Sequence, residues 1–270
     1  MTTLREALKG KIPADELALV PRSYDVVGNI LIFSSLKGLK KRESLIATTV
    51  LELYKNIKTV AVKSKMHSGL YRTKKIRIIG GAKNRIAEYK ENNAIMKFNV
   101  ETCYFSPRLS TERLRIAKLV KPKESVLVMF SGVAPYPLVI AKNSSAKEVY
   151  GVEINPEAHK YALENVKLNK VKNIFLFKGN VRSVVPKLKK KFDRIVMPLP
   201  RTAENYLDLA LSVAKKGSVI HFYDFEFEHD IDKAVEKVKK HCKKCKILKV
   251  IRCGEYSPRK YRVCVDFKII

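Results

Sequence analysis

A chain of 270 residues, 46% of them hydrophobic, is long enough for one large domain or two unequal ones, which excludes an intrinsically disordered protein. Its 55 Lys and Arg against 26 Asp and Glu, formally +29, favour a polyanionic partner, usually nucleic acid, and disfavour a small-molecule enzyme. No run of about 18 apolar residues marks a transmembrane helix, and five scattered cysteines suit a reducing cytoplasm.

In chain order, residues 1 to about 20 read as a helix without the apolar core of a signal peptide. Residues 25–33 read as a strand with a glycine bend and 43–54 as a helix. Short strands follow at 59–63, 75–80 and 94–100, with a turn at 80–84. After Pro107 the pattern changes to an amphipathic helix, then strands at 126–130, 148–153, 174–178, 194–197 and 218–222. Helices near 135–142, 156–168 and 203–214 separate them. Such alternation predicts an α/β fold with a doubly wound, mostly parallel, Rossmann-like sheet. Residues 246–252 and 261–270 read as an antiparallel pair at its edge. The expected division is a smaller N-terminal α+β RNA-binding domain, residues 1–103, and a catalytic domain, residues 104–270. RNA contacts are expected from Lys and Arg in the first 90 residues and in 187–191, with Tyr71 and Tyr136 stacking a flipped base. Cys242 and Cys245 have metal-ligand spacing but stand alone, with Cys253 and His241 nearby, so no metal is expected.

In an open α/β sheet a ligand sits at the carboxyl ends of the strands. The first strand-turn-helix here runs through Ser131-Gly132-Val133-Ala134, where Gly132 lets the backbone approach a cofactor. It is not a GxGxxG turn. Glu153 ends the second strand, where a carboxylate can accept from two ribose hydroxyls, and Asn180 ends the third, where an adenine edge would lie. A glycine turn followed by that carboxylate is the pattern of a class I S-adenosyl-L-methionine methyltransferase. Read singly, the three are more readily a loop glycine, a surface acid and a turn amide; the sequence order and spacing favour the cofactor.

Seven segments, SYDVVGNILIF from Ser23, YRTKKIRIIGG from Tyr71, YFSPRLSTER from Tyr104, VEINPEAHKYALENVKLNK from Val152, MPLP from Met197, VIHFY from Val219 and YSPRKY from Tyr256, resemble the archaeal and eukaryotic tRNA (guanine-37-N1)-methyltransferases, the Met-10-like proteins. They span nearly the whole chain in family order. The resemblance implies a cytoplasmic, monomeric enzyme that methylates position 37 of the tRNA anticodon loop, and a chain too short for the extra module that grips the tRNA elbow. It implies that Glu112 takes the N1 proton and that Arg72 steadies charge on O6. By the same resemblance Arg113, Phe130, Gly132, Glu153, Ile154, Asn180, Val181 and Pro198 hold the cofactor, and Arg72, Arg108, Pro198 and Pro200 meet the substrate. Read alone, Glu112 is more readily a capping-box glutamate, and Arg72 one more phosphate contact.

Four positions depart from the family: Val128, Ala134, Asn180 and, beside the methyl group, Pro198-Leu199-Pro200 in place of Asn-Leu-Pro. Pro198 removes a side-chain amide and a backbone donor. The Pro-Leu-Pro version resembles the archaeal subgroup that also methylates carbon 7 of 4-demethylwyosine, so both reactions are expected. Methylation at one of these steps only, methylation of another RNA position, and an RNA-binding homologue without catalysis are the alternatives.

Overall fold

The computed structural model describes residues 2–199 and 201–270, and the chain divides into two compact units, Met1–Lys90 with Ile95–Pro107, and Glu91–Ala94 with Arg108–Ile270.

The first unit opens with two short helices, α1 (Leu4–Leu8) and α2 (Ala14–Leu19), where the sequence predicts one. Thr3 closes a capping box with Glu6 at the start of α1. Gly10 then turns left-handed, at φ +79°, and Pro13 has no N–H to continue a helix. The expected single strand over 25–33 is a tight hairpin, β1 (Asp25–Val27) against β2 (Ile30–Phe33). Gly28 makes it possible: its φ is +59°, and a Cβ there would lie 1.9 Å from the Glu88 carbonyl oxygen. Helix α3 (Glu43–Leu53) lies where predicted. Strand β3 (Thr59–Ser68) runs parallel to β2, and β4 (Thr73–Gly81) antiparallel to β3, completing the sheet order β1-β2-β3-β4. Its core gathers Leu4, Leu8, Leu31, Phe33, Ile46, Val50 and Val60. A hairpin follows, β5 (Ile86–Glu91), absent from the sequence reading, and β6 (Ala94–Asn99), where a strand is expected over 94–100. Asn92 and Asn93 turn it with φ of +43° and +64°, the left-handed pair of a two-residue hairpin.

The second unit begins with α4 (Ser110–Leu119) and continues β7 (Ser125–Met129), α5 (Pro135–Asn143), β8 (Glu148–Glu153), α6 (Pro156–Leu168), β9 (Ile174–Lys178), α7 (Val181–Val184), β10 (Phe192–Met197), α8 (Leu207–Ser212), β11 (Ala214–Phe227), α9 (Asp232–His241), β12 (Cys245–Ser257) and β13 (Lys260–Ile269). The sheet order is β12-β13-β11-β10-β7-β8-β9, parallel from β11 to β9 with β13 antiparallel to both neighbours. All five residues of β7 are buried, as a central parallel strand requires. Each large aliphatic so buried contributes about 1.5–3 kcal/mol. Two expectations need correcting. The helix predicted over 203–214 is a 3₁₀ turn plus the short α8, because β11 begins at Ala214. Helix α9 escaped the sequence reading because only Ala234 and Val238 of its ten residues are buried.

Candidate active site

The end of β7 is bent by two left-handed non-glycine residues, Phe130 (φ +60°) and Ala134 (φ +69°), with Gly132 at +56° between them. The Ser131 N–H donates to Val152 O at 2.9 Å, which ties the turn to β8. Glu153, at the end of β8, fixes it from the side chain: Oε2 accepts from the Gly132 N–H at 2.7 Å and Oε1 from the Asn155 N–H at 2.8 Å. Burial pushes the Glu153 carboxyl above its usual pKa, while the N–H groups of Asn155, Gly132 and Ile154 pull against that rise. Gly151 lies beneath; a Cβ there would stand 2.7 Å from Leu176 Cδ2 and 3.0 Å from Ser131 Oγ. That hydroxyl is buried and has no hydrogen-bond partner among the described residues. Asn155 caps α6 by accepting from the N–H groups of Glu157 and Ala158, and exposed Asn180 caps α7 by accepting from the Arg182 N–H at 2.9 Å. Half-buried Ile154 follows Glu153, Val181 is packed in the core, and Phe130 meets Tyr206 edge-on at 4.9 Å. The turn, Glu153 and Asn180 thus line the carboxyl ends of three adjacent strands.

A second cluster surrounds Glu112 in the first turn of α4. Helix α4 has no side-chain cap, so Glu112 is not a capping-box residue. It is 5% exposed, and Arg115 holds both its oxygens, Nε to Oε2 and Nη2 to Oε1, each at 2.7 Å. The Tyr223 hydroxyl donates to Oε1 at 2.5 Å. Arg115 also reaches Asp266 Oδ2 at 2.6 Å, and Asp266 Oδ1 accepts from His221 Nδ1 at 2.6 Å. The ring's other nitrogen faces Arg194 Nη1 at 2.8 Å, and Arg194 pairs with Glu124. A guanidinium can only donate, so Nε2 accepts and the imidazole is neutral with its proton on Nδ1. Its pKa is lowered accordingly, by burial first and then by Arg194 and Arg115, against the pull of Asp266. Burial opposes the charge on Arg115, but Glu112 and Asp266 override it and hold its pKa above the ordinary value. Burial likewise disfavours ionised Asp266, yet His221 and Arg115 keep its pKa below the usual range.

Arg113 is 2% exposed and forms a bidentate pair with Glu91, at 2.5 and 2.6 Å. Arg72 belongs to the other unit, in the turn between β3 and β4 at φ +50°. Arg108 is exposed just before α4. Pro198 is half-buried in a turn closed by the Leu199 N–H on Met197 O at 2.8 Å, and Pro200 lies outside the described residues. Tyr136 does not present its ring to a base: it is 3% exposed, and its hydroxyl donates to that of Tyr223 at 3.1 Å. Burial pushes both phenols above their usual range. Cys245 Sγ donates to Cys242 O at 3.0 Å, and burial first, then Cys242, raises its pKa to about 11. The sequence reading missed Arg115, Tyr223, His221, Asp266 and Glu91. VIHFY stands out in the chain as a segment, but the opposing Asp266 is visible only through the β11–β13 register, which pairs His221 with it.

The seven-stranded sheet with its one antiparallel insertion, and the acid of β8 locked to the turn after β7, define a class I methyltransferase. The sequence matches the TRM5/TYW2 methyltransferase domain over residues 87–251 and the TYW2 N-terminal domain over 4–84. The chain belongs to the TRM5/TYW2 family of S-adenosylmethionine-dependent methyltransferases. It is 37% identical to the tRNA (guanine(37)-N(1))-methyltransferase Trm5b of Pyrococcus abyssi, over 96% of this chain and 78% of that one. It is 31% identical to the tRNA (guanine(37)-N(1))/4-demethylwyosine(37)-methyltransferase Taw22 of Nanoarchaeum equitans, over 92% of this chain and all of the other. The tRNA 4-demethylwyosine(37)-methyltransferase Taw21 of Saccharolobus solfataricus is 32% identical over 92% of this chain and 94% of its own. Among solved structures, the complex of aTrm5 and tRNALeu superposes with a TM-score of 0.87 at 31% identity, over 99% of this chain and 78% of that one. P. horikoshii TYW2 in complex with MeSAdo gives 0.82 at 26%, over 99% and 98%.

Proposed function

We propose that this chain methylates position 37 of tRNA, at N1 of guanosine and at carbon 7 of 4-demethylwyosine. The carrying observation is the Glu153 carboxylate joined to the Gly132 N–H, in a chain whose relatives carry those two activities in their names. The residues fit S-adenosylmethionine: Glu153 for the ribose hydroxyls, the glycine turn for the methionine side, Asn180 and Val181 for adenine. When bound, that cofactor supplies an electrophilic methyl group on sulfur. In the N1 reaction the Glu112 carboxylate would take the N1 proton as that nitrogen becomes the nucleophile toward the methyl group. Arg72 supplies the fixed cation for O6, and Arg108 and Pro198 contact the substrate. A monomeric, cytoplasmic enzyme completes the reading; among the described residues no helix is long and apolar enough to cross a membrane.

The test is nucleoside mass spectrometry of a tRNA transcript with guanosine-37 and of one carrying 4-demethylwyosine, each incubated with protein and S-adenosylmethionine. Product on both is expected; an untouched guanosine-37 refutes the N1 half. A second reading, carbon-7 methylation alone, is favoured by the Pro198 turn, which offers neither amide nor N–H where the family's Asn stands.

Two further outcomes follow. Gly151→Ala should weaken S-adenosylmethionine binding about tenfold by isothermal calorimetry and cost about 1–3 kcal/mol of stability, because the new methyl crowds Leu176 and Ser131. With a formal +29, tRNA affinity should fall roughly 100-fold between about 50 and about 200 mM salt; a flat dependence counts against a phosphate-dominated grip.

A further inference from the structure

Strand β10 ends its pairing with β11 at Met197 opposite Phe222, but β11 continues to Phe227 against β13, which begins at Lys260. The end of β11 and the β12–β13 hairpin therefore project past the strand end from which the Pro198 turn departs. This ledge is both aromatic and cationic. Phe225 and Tyr256 pack with ring centroids 4.2 Å apart. Arg201 lies 5.7 Å from the Tyr256 centroid and donates to its hydroxyl at 2.5 Å, and Arg262 lies over Phe225 at 5.2 Å. Lys260 covers Phe227 at 4.8 Å and Arg252 covers Tyr261 at 4.9 Å. Tyr256 is nonetheless 47% exposed and Phe227 43%.

Beside these rings is a cavity of about 520 Å³, bounded by Arg201, Phe225, Glu226, Lys237, Tyr256 and Lys260. Lys237 bridges Asp224 and Glu226 at 2.6 Å each, so one cation offsets part of the acidic wall. Burial works against that ammonium, but the two carboxylates raise its pKa. Arg201 and Lys260 tip the rim positive. The Thr202 N–H donates to Leu199 O at 3.3 Å, which joins the cavity wall to the Pro198 turn.

We propose that this ledge binds an unpaired nucleotide of the substrate RNA, the one next to the base being methylated. Tyr256, 47% exposed, offers a ring on which any base can stack, Arg201 and Lys260 meet phosphate, and the Glu226 carboxylate in the cavity wall can accept from a base N–H edge. A volume of about 520 Å³ lies in the range of small-ligand sites. The proposal rests on the tRNA reading above. It adds the place where the strand beside the target is held, on the side of β10 away from the turn after β7.

The test uses the whole 270-residue chain and an anticodon stem-loop RNA carrying 2-aminopurine on one or the other side of the target base. Tyr256→Ala should raise the RNA Kd about tenfold and abolish the fluorescence quenching at one of the two positions. Tyr256→Phe, which keeps the ring and loses the Arg201 bond, should weaken binding less. Arg201→Ala should lower the slope of log K against log salt by about one. S-adenosylmethionine affinity certifies that each variant is folded. RNA affinity and quenching like wild type in Tyr256→Ala overturn the proposal, as does a thermal destabilisation unaccompanied by any change in RNA binding. A wild-type protein that neither binds nor methylates the RNA instead overturns the tRNA reading.

Discussion

Glu112→Gln is expected to lower the rate of N1 methylation on guanosine-37 tRNA by roughly 100- to 10,000-fold in single-turnover assays, with tRNA and S-adenosylmethionine affinities little changed. The amide keeps the shape and can still accept from Tyr223, whose hydroxyl sits 2.5 Å from Oε1. It cannot take the N1 proton. Arg115 separates proton transfer from support. Arg115→Ala leaves Glu112, 5% exposed, and Asp266, 4% exposed, without the guanidinium they share. That variant should lose stability by about 3–5 kcal/mol as well as rate, whereas Glu112→Gln, which sets an amide N–H against Arg115 Nε but leaves Arg115 paired with Asp266, should lose less. Tyr223→Phe removes one donor to Glu112 and should cost rate more mildly. If Glu112→Gln turns over at the wild-type rate, the proton goes elsewhere.

The strand ends that carry the candidate cofactor residues could be read from the chain because central parallel strands, buried on both faces, appear as unbroken apolar runs. Residues 126–129 are such a run; 149–152 and 174–177 are short apolar runs bounded by charge, the second on the partly exposed edge strand β9, and Gly132, Glu153 and Asn180 follow their ends. The N-terminal half resisted for local reasons. Gly28 and Asn29 interrupt a run that otherwise reads as one strand, and IAEYKE of β5 mixes charge into a strand of the β5–β6 hairpin. The support of Glu112 was illegible for a different reason. His221 is 45 residues from Asp266, and Arg115 is 151 from it, so only the sheet register brings the three together. Tyr136 misled because an aromatic after a cofactor turn invites a stacking role, while the fold turns its hydroxyl inward to Tyr223.

Glu91→Ala should destabilise the second unit by about 3–5 kcal/mol in urea melts, because it strips a buried guanidinium of its carboxylate. Glu91 and Arg113 side chains are each 2% exposed, and both guanidinium contacts are 2.6 Å or shorter. A loss of that size is a large share of the roughly 5–15 kcal/mol that holds a typical domain folded. The pair also has a mechanical role. It fixes the Asn92–Asn93 hairpin turn against the first turns of α4, where the Asn92 amide donates to Ser110 O at 2.8 Å and Oγ at 3.1 Å. Glu112 lies two residues beyond Ser110, so loosening this clamp should blur the carboxylate's position and lower kcat more than it raises KM. The resemblance gave Arg113 a different part, lining the cofactor pocket, and the two readings separate cleanly. If Arg113 holds cofactor, Arg113→Met should weaken S-adenosylmethionine binding with Glu91 intact. If it chiefly holds Glu91, the double variant Glu91→Leu/Arg113→Met should recover most of the stability that either single change loses, since replacing both charges by apolar groups of similar volume removes the stranded ion.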